Sequence, residues 1–376
     1  MKKNLFFAAL ALLAAVSCQK TNPTETAVSG PQGQLIVRLG EDPATMVSDA
    51  AMKENQINSV QFFVFTENGS LETDLYKTGS GTSYSLTTGI GDKVVYAIVN
   101  APRLKHTSIS SLEGDLSDLS HNKVAATGVQ SSLVMSGKAS VHVDEYKAGS
   151  TTPAQCTVYV KKLASAIQLA TISTSFAGST LEGSTFKIKE IYVKNVVGKA
   201  PYGVQSEVNA SSKTTTGLPM VLTDDQRRTP AYWYNKTKLD QTPLPVTYDL
   251  CNLGPVTSTA FAVNRTLYVY PNATVKDPDV KGGTPSEFDP RPTRLVIHAL
   301  ISTSADHYDK PFKDKDYYYT FDLPVLEANK KYKVGVVISM LGKTNDNDDS
   351  KTSPGLAQPT ITVLDWDQTI ELNYQY

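Results

Sequence analysis

The sequence predicts an all-β chain built as two tandem antiparallel β-sandwiches. Three observations carry that expectation. Apolar side chains recur with a period of two along most of the chain, in short segments rich in Val, Ile, Tyr and Thr. Gly, Pro and Asn punctuate the gaps, and no strand–helix–strand rhythm of a parallel sheet is present. At 376 residues the chain is long for one domain and comfortable for two.

The first element is a targeting segment. Lys2 and Lys3 precede an unbroken apolar stretch from Leu5 to Val16, shorter than the ~20 residues that span a bilayer as a helix. Residues 1–17 therefore read as a signal peptide. Ala15-Val16-Ser17-Cys18 resembles a bacterial lipobox, which makes Cys18 the expected lipidation site and residues 18–33 a lipidated, flexible tether.

An N-terminal sandwich is expected over residues 34–152. Its first strand carries Leu35, Val37 and Leu39 on one face and is broken by Gly40-Glu41-Asp42-Pro43. Asn58–Phe65 follows and ends at Asn68-Gly69, a strong turn signal. Further strands are expected at 83–87, 93–100, 132–135 and 139–143. One helical spacing interrupts them, Ile109, Leu112, Leu116 and Leu119, with Ser108 or Ser110 as cap. The turn-rich stretch Lys147–Pro153 marks the boundary.

The C-terminal sandwich is expected over residues 153–376, with one long strand at 156–169 and others at 186–197, 266–270, 294–302, 317–323, 331–340 and 360–366. Residues 210–245 and 272–292, rich in Pro, Gly and Thr, read as surface loops. The last strand alternates to its end, with Ile370, Leu372, Tyr374 and Tyr376 on one face and Thr369, Glu371, Asn373 and Gln375 on the other. Both termini thus carry strands with an apolar face to bury. A groove left by the first strand, Leu35–Leu39, could take up the last strand of another copy by β-strand addition. Two ordinary in-domain strands explain the residues equally well.

Composition excludes several functions. Lysine plus arginine number 36 against 37 aspartate plus glutamate, so there is no net field to attract nucleic acid. Five histidines and three cysteines are too sparse for a zinc cluster or a disulfide scaffold. No phosphate loop, zinc-protease helix or nucleophile elbow occurs. The acidic run Asn345–Asp349 could offer oxygen ligands to calcium but lacks the glycine and glutamate of an EF-hand loop, and reads as a solvated loop. Asp365 and Asp367 flank Trp366 on one strand face, a weak counterpart of a glycosidase pair. Cys156 reads as a buried thiol. Whether it pairs with Cys251 is not legible. No cofactor, metal or catalytic residue is expected.

Several segments together resemble a known family. They are the signal with Cys18, Gln34–Leu39, Val60–Phe65 before Gly69, and Leu133-Val134-Met135-Ser136-Gly137. Thr157–Ile167, Tyr317-Tyr318-Tyr319, Asn329–Val334 and Ile361–Trp366 complete the set. In this order they resemble the fimbrillins, subunits of the type V pili of Bacteroidia-type bacteria. The resemblance implies two transthyretin-like sandwiches, export as a lipoprotein to the outer membrane, proteolytic removal of the first strand and donor-strand exchange with other fimbrial subunits in a surface fimbria. It also implies adhesion to host or bacterial surfaces. Related subunits are cut at arginine in the loop after the first strand; here that loop offers only Lys53, and Arg38 lies within the strand. A cut at Lys53, a cut at Arg38, or an uncut anchor or tip subunit all stay open. A carbohydrate-binding surface lipoprotein, using Tyr232, Trp233 and Tyr234 to stack on sugars, is the alternative from another class.

Overall fold

The computed structural model describes residues 30–41, 54–123, 132–149, 151–204, 220–228, 232–234, 244–277, 290–346 and 357–365. Eight strands come from the first part of the chain: β1 (Gln32–Glu41), β2 (Ser59–Thr66), β3 (Leu71–Thr78), β4 (Ser83–Gly89), β5 (Gly91–Val99), β6 (Leu116–Asp118), β7 (Met135–Val143) and β8 (Ala154–Lys162). Seven of them form one sheet in the order β3-β2-β5-β7-β8-β1-β4. The sheet curls until its two edge strands, β3 and β4, lie side by side, linked through Glu72 of β3. Inside it Leu35 and Val37 of β1, Val60, Phe62 and Val64 of β2, Val95 of β5 and Val158 of β8 make a closed apolar core.

The remaining strands are β9 (Ser165–Thr174), β10 (Thr185–Lys194), β11 (Val196–Val197), β12 (Lys199–Pro201), β13 (Trp233–Tyr234), β14 (Tyr248–Asp249), β15 (Leu253–Val256), β16 (Phe261–Val269), β17 (Arg294–Ser302), β18 (Lys315–Asp322), β19 (Lys330–Ile338) and β20 (Ala357–Asp365). A sheet ordered β14-β10-β17-β18, with β15 also on β10, packs over a second one ordered β16-β9-β19-β20. Ile188, Ile297 and Tyr319 of the former meet Ile167, Leu267 and Val334 of the latter in a second core.

That second core reaches into the first unit. Phe63 and Phe65 point to the opposite face of β2 from Phe62 and join it, together with Tyr96 of β5. A strand buried on both faces explains the unbroken apolar run at 62–65. Short strands β6 and β12 pair across the two units, Lys199 opposite Asp118. The Tyr270 hydroxyl lies 2.7 Å from Ser117 Oγ and accepts from Asn122 Nδ2 at 3.0 Å. The helical spacing at 109–119 yields only one turn, α1 (Ile109–Glu113), capped by Ser108 as expected and ended at Gly114; Leu116 then enters β6.

The long strand expected at 156–169 is two. β8 runs parallel to β1 in the first sheet, Val37 opposite Cys156, whereas β9 pairs with β16 and β19 in the second unit. The chain changes sheet at Leu163-Ala164, ten residues beyond the boundary read from the turn at 147–153. Residues 163–169 are all buried, so alternation disappears where the break occurs. Strand β3 escaped the sequence reading because it is a charged, half-buried edge.

Candidate functional site: the first strand and its groove

β1 lies in the interior of its sheet. On one side it pairs antiparallel with β4, Leu35 opposite Leu86 and Val37 opposite Tyr84. On the other it runs parallel to β8, Leu35 beside Ala154 and Leu39 beside Val158. Odd-numbered residues face inward: Leu35 and Val37 are fully buried and Leu39 nearly so. Gln34 and Arg38 face solvent. Burying three such side chains contributes about 5–9 kcal/mol gross, before the ladder bonds on both edges. Withdrawing β1 would leave a slot walled by β4 and β8 and floored by Phe62 and Val64.

Two glycines shape the ends of that slot. A Cβ added at Gly33, on the inward face, would stand 2.3 Å from Val143 Cγ1 and 2.5 Å from the carbonyl oxygen of Asp144. At Gly40, on the outward face, it would strike the Tyr159 ring at 2.7 Å. Cys156 is a free thiol in the β8 wall, and burial pushes it up to about 12. Cys251, half-buried, is also a free thiol, so no disulfide joins them.

The other expected site residues divide sharply. Arg38 exposes its side chain, but it sits opposite Ser83 of β4 and beside Thr157 of β8 in the two ladders. Cys18, Lys53, Ile370, Leu372, Tyr374 and Tyr376 lie outside the described residues. Glu54, directly after Lys53, is buried, and its Oε1 accepts from the Tyr268 hydroxyl at 2.6 Å. Towards the C-terminus, β20 pairs along its whole length with β19 and, among the described residues, is an edge strand.

The aromatic trio proposed for sugar stacking is not laid out for it. Trp233 is buried and donates Nε1–H to the Arg227 carbonyl, and Tyr234 hydrogen-bonds Asp118 at 2.9 Å. Tyr232 is half-buried against the core. Of the acidic run, Asp346 is the counter-ion of Lys194, a lysine with no exposed side-chain surface; Lys194 also donates to the Asp346 carbonyl at 3.1 Å and Tyr192 donates to its carboxylate. His298 is packed. Its Nδ1 lies 2.6 Å from Glu190 and its Nε2 2.7 Å from Asp316, with the ring stacked on Tyr318. Those hydrogen bonds hold both carboxyls below their ordinary range.

A model of the major fimbrial subunit protein (FimA) family matches residues 36–180, from β1 through the change of sheet. Over this stretch, less than half of the chain, the sequence is similar to that family. Proteins of that description are subunits of fimbriae. The fold agrees. A fimbrilin (FimA) from Porphyromonas gingivalis W83 superposes with a TM-score of 0.54 at 13% identity, covering 91% of this chain and 99% of that one. Candidate cell adhesion proteins from Bacteroides eggerthii (TM-score 0.56, 19% identity, 90% and 97% covered) and Parabacteroides distasonis (0.61, 14%, 89% and 99%) share the fold. No curated protein matches the sequence significantly.

Proposed function

We propose that this chain is a fimbrillin and a polymerising pilus subunit, exported as a lipoprotein on Cys18, whose first strand is removed by proteolysis and replaced by a strand from the next copy. The observation that carries this reading is the interior position of β1, flanked by β4 and β8 and supplying Leu35, Val37 and Leu39 to the core. An edge strand could leave without opening a slot; an interior one cannot. The apolar face of Ile370, Leu372, Tyr374 and Tyr376 is the donor, reaching its neighbour beyond β20.

The favoured cut is after Lys53. A protease binds its substrate as an isolated extended chain, and Arg38 is engaged in ladders on both edges. A cut there would also leave Leu39 in the slot. A cut after Lys53 frees the whole strand while Glu54 stays pinned to Tyr268. This favours a stalk position over an uncut anchor. N-terminal sequencing of subunits in isolated fimbriae is expected to begin at Glu54, and deletion of residues 370–376 is expected to leave exported monomers without filaments. A mature chain that still begins at Cys18, or undiminished filaments from the truncated chain, overturns the reading.

A further inference from the structure

β4 is the weak wall of the slot. Among the described residues its one ladder partner is β1, so the strand whose departure opens the slot is also the strand that holds β4. On its far side β3 offers no ladder. Instead the Glu72 side chain of β3 reaches across. Its Oε1 accepts from the Gly89 backbone N–H at 2.8 Å, and its Oε2 accepts from the Thr88 hydroxyl at 3.0 Å. Lys93 of β5 completes the unit, with Nζ 2.7 Å from Glu72 Oε2 and donating to the Ile90 carbonyl at 3.0 Å, which ties down the β4–β5 turn.

These groups are out of water: the Lys93 side chain is 4% exposed, that of Glu72 14%, and Thr88 is fully buried. A buried ion pair adds little stability over apolar residues of the same shape, so its value lies in the geometry it dictates. Here the geometry is the position of the Gly89 end of β4. At the other end the Tyr84 ring lies 5.2 Å from Phe62 of β2. Neither tie involves β1.

We propose that Glu72 and Lys93 form a clasp that keeps β4 in place while β1 is absent, so that a strand from a second copy meets a formed slot. Both are positioning residues, and the inference rests on the strand-replacement reading above.

Cys156 supplies the test, because it lies beside Val37 and is covered while β1 is seated. In the full-length chain with Cys18 and Cys251 changed to serine, a thiol reagent reaches Cys156 only when β1 lifts away. Labelling at high reagent concentration gives the opening rate; labelling at low concentration gives the ratio of opening to closing. In Glu72→Ala/Lys93→Met, which removes both charges together, closing is expected to slow by about tenfold or more, with opening changed by less than about twofold. A merely stabilising pair would show the reverse, faster opening with closing unchanged. Should that variant not fold, Thr88→Val removes one bond of the clasp and is expected to slow closing about threefold. Unchanged closing in a folded variant overturns the clasp and leaves strand replacement standing. Wild-type labelling that occurs only at the rate of global unfolding overturns both.

Discussion

Leu35→Ala isolates what the inward face of β1 contributes. Leu35 has no exposed surface and sits opposite Leu86 and beside Ala154 in the core of the first unit. Truncating such a leucine costs about 2–5 kcal/mol. All of its core contacts are lost when β1 lifts out, so the truncation destabilises the seated state and not the lifted one. The lifted population should therefore rise by about 30-fold to a few thousand-fold, at a factor of ten per ~1.4 kcal/mol. Ile36, one residue along, is half-exposed on the outer face, and Ile36→Ala should change the same population only a few-fold, about 1 kcal/mol or less. Labelling of Cys156 at low reagent concentration, with Cys18 and Cys251 as serine, reads this population directly. Equal acceleration by the two substitutions would refute the claim that alternation along β1 seats it in the core.

Two other expectations concern the second unit. The hydrogen bonds from His298 depress the carboxyls of Glu190 and Asp316, so their stabilising contribution is present above the ordinary carboxylate range and is lost as pH falls through the lowered folded values. Urea midpoints measured from about pH 6 down to about pH 3 should therefore fall more steeply for wild type than for His298→Asn; parallel curves would contradict this. Asp346→Asn removes the carboxylate facing a lysine with no exposed surface and should cost about 3–5 kcal/mol in the denaturant midpoint, whereas Lys194→Met/Asp346→Leu should restore most of it.

The strands that bury one face and expose the other were readable because their side chains record the pleat. β1 declares itself through Leu35, Val37 and Leu39, and β17 matches its expected limits at Arg294 and Ser302. Where both faces are buried, as along 163–169, the record is blank, and the passage from one sheet to the other went unseen. Polar residues misled for a related reason. Asp346 stands in an acidic run that reads as solvated, and only the fold brings Lys194, far away in sequence, against it. Trp233 looks available for a ligand in the sequence, yet its indole is folded under the Arg227 carbonyl. Glu72 and Lys93 belong to strands two apart in the sheet order, and no spacing along the chain announces their meeting. Gly33 did carry a signal, since it precedes Leu35 by two residues and so shares its face.

That glycine makes the slot a blind alley. With Val143 and the Asp144 carbonyl closing in at Gly33, a replacement strand lacking glycine must halt one step short, with its first large side chain in the berth of Leu35. The stretch from Trp366 to Tyr376 contains no glycine. If copies are joined by the strand replacement proposed above, this end stop limits how far an incoming strand travels, and the junctions along a fibre would repeat at one fixed spacing.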